Sequence, residues 1–366
     1  NDASIVMFPS GRKASKLYSQ KPLDGSADFT VTRASVATEI DVNGLVSEVA
    51  ANVPRFEYGV GVTCQSLLLE PQGINNAVYS EDFTNANWAA TDLTVTSNSA
   101  VAPDGNTTAD TITADVAGGQ FQFAYAGTIG ETYTTSFWVK RKTGVGAIRI
   151  RGVDNISTNV TVTNEWTRVS ITNTASATTI RIGLKLSNAG DEVYLWGAQS
   201  EVGSLPSSYI RNLTTGTTTR LADTLSKTEL SGYINSNEGT LLMDVILLEG
   251  ETAKQFSITN GTTNNYLALD FGGDAIGYIV RSGNVAQASI TTSGTTLINK
   301  IAVTWKLNEF KFFLNGVKIG EDLSGSTPIG LSVIDFDLFV NMYGKFKTLK
   351  VYKTALTDTE LIALTT

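Results

Sequence analysis

Cationic side chains fall on one parity in two stretches of this sequence, Arg149 and Arg151 in Ala147-Ile-Arg-Ile-Arg151, and Arg181 and Lys185 in Thr179-Ile-Arg-Ile-Gly-Leu-Lys-Leu186. A guanidinium is planar and presents its N–H groups as a fork, which matches carboxylate or sulfate oxygens two at a time. A third stretch, Tyr133-Thr-Thr-Ser-Phe-Trp-Val139 followed by Lys140, adds Trp138, and an indole face packs well on the apolar C–H side of a pyranose ring. Trp138, Lys140, Arg149, Arg151, Arg181 and Lys185 therefore have the chemistry of a site for an anionic glycan.

Alternation of this kind belongs to β-strands, whose successive side chains point to opposite faces. With Tyr133, Phe137 and Val139 inward, Thr134, Ser136, Trp138 and Lys140 point outward. Ile148 and Ile150 inward put Arg149 and Arg151 outward, and Ile180, Ile182, Leu184 and Leu186 inward put Arg181 and Lys185 outward. Strands sharing one sheet would make a basic floor with an aromatic platform. The alternative is an ordinary solvent face, its cations paired with Asp and Glu across strands. Trp88, Trp166, Trp196 and Trp305 read as core or sandwich-edge residues, because an indole buries so much area.

The rest of the composition argues against catalysis. The 366 residues include no histidine and one cysteine, Cys64, so a Ser-His-Asp or Cys-His arrangement is excluded. Asp335, Asp337 and Asp270 are the carboxylates in reach of a hydrolytic role, and alternating charges on a solvent face account for them as well. Cys64 sits in an apolar stretch and reads as a buried thiol, and a lone cysteine makes no intrachain disulfide. The net charge of −8, with no basic block, speaks against nucleic acid and anionic membrane as partners. No run approaches the roughly 20 apolar residues that span a bilayer, and the first residues lack the pattern of an export signal. Action outside a cell would then follow lysis or incorporation in a particle.

Three sections differ in texture, and all read as β. Residues 1–76 are irregular, with short apolar pieces between Pro9, Pro22, Pro54 and Pro71, and are expected to pack on the next section. Residues 77–213 show clear period-two strands at the spacing of a β-sandwich. Leu213-Thr-Thr-Gly-Thr-Thr-Thr219 reads as a linker. Residues 214–366 form a second all-β section, with Asn315-Gly316 as a hairpin turn. At its end Thr357 and Glu360 have the spacing of a capping box, which predicts a short C-terminal helix carrying Leu361 and Leu364 on one face.

Met7-Phe-Pro-Ser-Gly-Arg-Lys-Ala-Ser-Lys-Leu-Tyr18, Asp28-Phe-Thr-Val-Thr-Arg-Ala-Ser-Val-Ala-Thr38 and Ser66-Leu-Leu-Leu-Glu-Pro-Gln72 resemble the N-terminal region of bacteriophage tail-fibre and other virion structural proteins. Tyr79-Ser-Glu-Asp-Phe-Thr-Asn-Ala-Asn-Trp88, Trp196-Gly-Ala-Gln-Ser-Glu-Val-Gly203 and Pro206-Ser-Ser-Tyr-Ile210 resemble a carbohydrate-binding-module-like jelly roll. Trp305, Asn315-Gly316 and Ala355-Leu-Thr-Asp-Thr-Glu-Leu361 resemble a concanavalin A-like, laminin-G-type lectin domain.

The resemblance implies a jelly roll followed by a concanavalin A-like sandwich in a non-catalytic virion protein. Such a protein is made in the bacterial host cytoplasm, and fibres of this kind are often trimers. Its implied partners are host-surface polysaccharide and other virion proteins. Two other roles stay open, a structural adaptor or capsid decoration protein and a polysaccharide-degrading tailspike. The Glu-x-Asp-x-Glu strand typical of concanavalin-like hydrolases is absent. No cofactor is required, and the one metal that the jelly roll suggests is a structural calcium, for which Glu81 with Asp82, and Asp191 with Glu192, are the natural carboxylates.

Overall fold

In the computed structural model, which describes residues 2–58, 65–248, 253–292, 294 and 298–366, the two-residue alternation becomes antiparallel sheet throughout. Cys64 lies outside the described residues. The protein is all-β, with one α-helix among the described residues, Asp358–Thr365. The chain divides into two compact units, Asn1–Ala34 with Val49–Pro71 and Ala222–Thr366, and Ser35–Glu48 with Gln72–Leu221.

The unit built on Gln72–Leu221 is a sandwich of two five-stranded sheets. One runs Ala89–Thr91, Gln120–Ala126, Thr179–Leu186, Ile148–Arg151, Ser157–Val160 in spatial order. The other runs Leu93–Ala100, Ala109–Ala114, Glu192–Val202, Thr132–Thr143, Thr167–Thr174. Phe121, Ile148, Ile150, Ile180, Ile182, Leu184 and Leu186 from the first sheet meet Ile112, Phe137, Val139, Val193 and Leu195 from the second in one buried cluster. Trp88 stacks on Phe121 there, centroids 4.8 Å apart and planes 8° from parallel. The expected linker is not free, since Thr218–Arg220 pairs with Gly73–Asn75, so the two ends of Gln72–Leu221 run side by side.

The other unit is a larger sandwich. Its first sheet runs Val317–Asp322, Glu309–Leu314, Ile298–Lys306, Glu238–Leu247, Gly344–Tyr352, Gln65–Leu69, Arg55–Tyr58, and Ile5–Met7 also pairs with Gly344–Tyr352. Its second, nine-stranded sheet runs Arg12–Lys13, Lys16–Leu17, Phe29–Thr32, Thr224–Lys227, Val333–Asp335, Ala253–Thr259, Tyr266–Gly272, Ala275–Ser282, Val285–Thr291. Sequence alone places residues 1–76 against the section that follows them. Most of that stretch instead supplies strands to the sheets of the C-terminal sandwich, where Ile5, Met7, Leu17, Phe29, Val31, Leu67 and Leu69 join its core. The reason is pairing: short strands gain stability only as members of a sheet with an apolar face to bury. Asn315 and Gly316 form the two-residue hairpin, both with positive φ (47° and 79°), as a turn matched to strand twist requires. Thr357 and Glu360 close the expected capping box, and Leu361 is fully buried against Leu242, Phe313 and Leu356.

Candidate ligand-binding face

The first sheet of the smaller sandwich turns its inward positions to the core, so its outward positions carry the polar residues. Register fixes their neighbours: Arg149 lies opposite Lys185 on one side and Asn159 on the other, Arg151 opposite Gly183, Lys185 opposite Gln120, and Arg181 opposite Ala124. Arg149, Arg151, Arg181 and Lys185 thus share one outward face, with Gln120, Gln122 and Asn159 between them. Arg149 Nε donates to Asn159 Oδ1 (2.9 Å), and Arg151 Nη1 donates to Gln120 Oε1 (2.9 Å). Gly183 sits between Arg151 and Gln122 and cannot carry a side chain, because a Cβ there would lie 1.9 Å from the Phe121 carbonyl oxygen. Its bareness lets the Arg151 side chain cross this strand to Gln120, and Arg151 and Gly183 are both buried.

Among the described residues none of the four cations makes an ion pair. Burial, and to a lesser extent the charge of Arg181, hold Arg151 below its ordinary pKa. Gln120, Gln122 and Asn159 are residues that sequence reasoning passed over, and the signal was present in Gln120-Phe-Gln-Phe-Ala-Tyr-Ala126, another period-two run.

Trp138 and Lys140 do not join them. Both lie on Thr132–Thr143 in the opposite sheet. Trp138 does point away from the main core, as parity requires, yet it is 8% exposed, packed with Trp196, Tyr209, Val46 and Ala109 in a second small core. Arg168 lies 4.4 Å over its ring. Strand parity says inward or outward, but not which sheet a strand joins or whether its outer face is covered. The basic face has no aromatic platform, because Phe121, Phe123 and Tyr125 all turn inward.

The carboxylates proposed for calcium are held by other groups. Glu81 is buried, accepting from Tyr209 Oη (2.9 Å) and from Arg211 Nη2 (2.7 Å), and burial pushes its pKa up. Asp82 accepts from Thr84 N and Oγ1. Asp191 is buried under Gly144 and Gly146 and accepts from Gly146 N (3.2 Å) and Asn188 N (3.3 Å). Glu192 pairs with Lys142 (3.3 Å) and accepts from Thr113 Oγ1. With two of the four matched to a cation, and no group of three or more metal-ligating side chains brought together among the described residues, this donor set does not fit a calcium ion.

In the larger sandwich Asp337 N donates to Asp335 Oδ1 (3.0 Å). The hydrogen bond with the Asp335 carboxyl, then burial and the Asp335 charge, push Asp337 up to about 7. The folded chain therefore keeps a proton that the unfolded chain releases near pH 4. That contribution to stability is complete below about pH 4 and is lost as pH rises towards about 7. Asp337→Asn, which remains a neutral donor, should melt at a temperature that falls less between pH 4 and 7 than that of the parent. Parallel profiles in thermal melts across that range would rule the shared proton out.

No family model matches the sequence, and no curated protein matches it. Among solved structures, domain 4 of AbnA, an arabinanase from Geobacillus stearothermophilus, is similar at 16% identity and a TM-score of 0.32, over 44% of this chain and 83% of that one. The CBM22-1–CBM22-2 tandem of Paenibacillus barcinonensis Xyn10C is similar at 11% identity and 0.28, over 80% and 93%. Domains LG4-5 of mouse laminin α1 are similar at 8% and 0.25, over 65% and 88%. At these values the likeness carries neither a ligand nor a site to this chain.

Proposed function

We propose that the chain binds an anionic glycan, without cleaving it, on the outward face formed by Ile148–Arg151 and Thr179–Leu186. The observation behind this reading is the group of four cations, Arg149, Arg151, Arg181 and Lys185, without an internal carboxylate partner on a chain of net charge −8. Unneutralised like charges repel, and an anionic ligand removes that repulsion. Gln120, Gln122 and Asn159 add amide donors and acceptors for hydroxyl groups. With no aromatic shelf on the face, charge and hydrogen bonds would dominate, and affinity would fall with salt.

The protein's place, in this reading, is the phage particle, as a tail or fibre component that meets the host-surface polysaccharide. Support comes from the virion-protein-like strings between Met7 and Gln72. Several copies in one fibre would turn a weak, shallow contact into avid attachment.

The test is retention of the purified chain on immobilised alginate, polygalacturonate, hyaluronate and dextran sulfate, with plain dextran as control, across 0.05–0.5 M salt. Each charge-assisted hydrogen bond contributes about 1.5–3 kcal/mol, so the Arg149→Ala/Arg181→Ala double variant should lose at least about tenfold in affinity. Both residues are exposed, so the fold should survive. Equal retention on dextran, or an unchanged double variant, would refute the assignment, and new reducing ends would make the protein a depolymerase.

A further inference from the structure

A second set of residues, on the outward face of the nine-stranded sheet, has a different chemistry. Phe339 is 52% exposed, more than any other aromatic side chain among the described residues, and meets Tyr266 edge to face with centroids 5.6 Å apart. Across the register from Tyr266 stands Arg281, whose Nη1 donates to Asn284 Oδ1 (3.2 Å). Further along the same face Gln255 lies opposite Asp270 and donates to it through Nε2. Between the aromatic pair and Asp270 lies Ala268, with Ser257 and Ile279 across the register on either side of it, and Gly277 stands opposite Asp270. Gln255, Tyr266, Arg281, Asn284 and Phe339 line a cavity of about 360 Å³, within the range of small-molecule sites.

Two features say what the cavity would take. Gln255 is 7% exposed, and its Oε1 is buried without a hydrogen-bond partner. Its amide cannot be turned to cure this, because the carboxylate of Asp270 needs the NH₂ end. A buried acceptor without a donor is costly, and a ligand hydroxyl supplies the donor. Secondly, Arg281 and Asp270 cancel in charge, unlike the uncompensated cations of the basic face. An apolar ring left in solvent, a planar amide, a carboxylate and a guanidinium around a shallow hollow suit a ligand with one apolar side and several hydroxyls.

We propose that this face, including Gln255, Tyr266, Arg281 and Phe339, is a second binding site, for a neutral saccharide. It stands independently of the anionic-glycan reading. The chain would then hold two sugar sites of opposite salt behaviour, one on each sandwich.

Saturation-transfer NMR on the full chain with cellotriose, maltotriose, mannotriose and N,N′,N″-triacetylchitotriose tests this. At least one should give transfer that is unchanged between 0.05 and 0.5 M salt and at least fivefold weaker in Phe339→Ala. Phe339 is exposed, so its removal should leave the fold intact, and Gln255→Leu should weaken transfer as well. The Arg149→Ala/Arg181→Ala chain should respond as the parent does. Silence from all four sugars, full transfer in Phe339→Ala, or loss in the double arginine variant would each overturn the proposal.

Discussion

Replacing Asp223 by alanine is expected to destabilise the larger sandwich by about 3–5 kcal/mol. Asp223 is 1% exposed and carries two guanidinium groups: Arg33 Nη1 donates to its Oδ1 (2.9 Å), and Arg55 Nη2 donates to its Oδ2. Arg55 also pairs with Glu70 (2.7 Å), and Glu70 N donates to Asp223 Oδ2 (3.0 Å). The two arginines and two carboxylates balance, and all four side chains are buried. Removing Asp223 leaves two buried cations sharing one carboxylate, which costs far more than the intact cluster contributes.

The comparison is Lys345 with Glu57, at a similar 2.9 Å but partly exposed on both sides, where Lys345→Ala should cost under about 1 kcal/mol. Hydrogen exchange read by mass spectrometry separates the two units. Protection should fall in Phe29–Thr32, Arg55–Tyr58, Gln65–Leu69 and Thr224–Lys227, and hold in Thr179–Leu186. A loss near 1 kcal/mol for Asp223→Ala would mean that water or a shifted side chain neutralises the arginines, and that the cluster is not closed.

What the sequence made legible follows from the range of the interactions involved. Strand period, the Asn315-Gly316 turn and the Thr357–Glu360 cap are settled by residues within a few positions of one another, and each appears in the structure as read. The pairing of Ile5–Met7 with Gly344–Tyr352 joins residues more than 300 positions apart, and no local pattern announces it. The same holds for Arg33, Arg55, Glu70 and Asp223, whose charges look like ordinary surface residues until three separate segments bring them together. In the basic face, parity gave the outward direction of Arg149, Arg151, Arg181 and Lys185 correctly. Their shared sheet, and the exclusion of Trp138 from it, needed the register.

Trp138 is where the two levels part, and its replacement by alanine should show it. The ring meets Trp196 (5.4 Å, 68°) and Tyr209 (5.4 Å, 80°), and Arg168 stacks over it while Nη1 donates to Ser207 O (2.7 Å). Gly197, at φ 66°, is the bare backbone that lets the indole approach, since a Cβ there would lie 2.8 Å from it. Trp138→Ala empties a buried cavity and should cost about 3–5 kcal/mol of the smaller sandwich's stability. Loss of the cation–π contact adds to this, while Trp138→Phe should lose less. Retention on an anionic polysaccharide, measured where the variant is still folded, should match the parent, because the basic face lies on the other sheet. If Trp138→Ala instead melted like the parent and lost retention, the indole would be the sugar platform and the ligand would sit on the sheet of Thr132–Thr143. Chemical denaturation together with the binding assay on this one variant therefore decides between a tryptophan that builds the sandwich and one that reads the glycan.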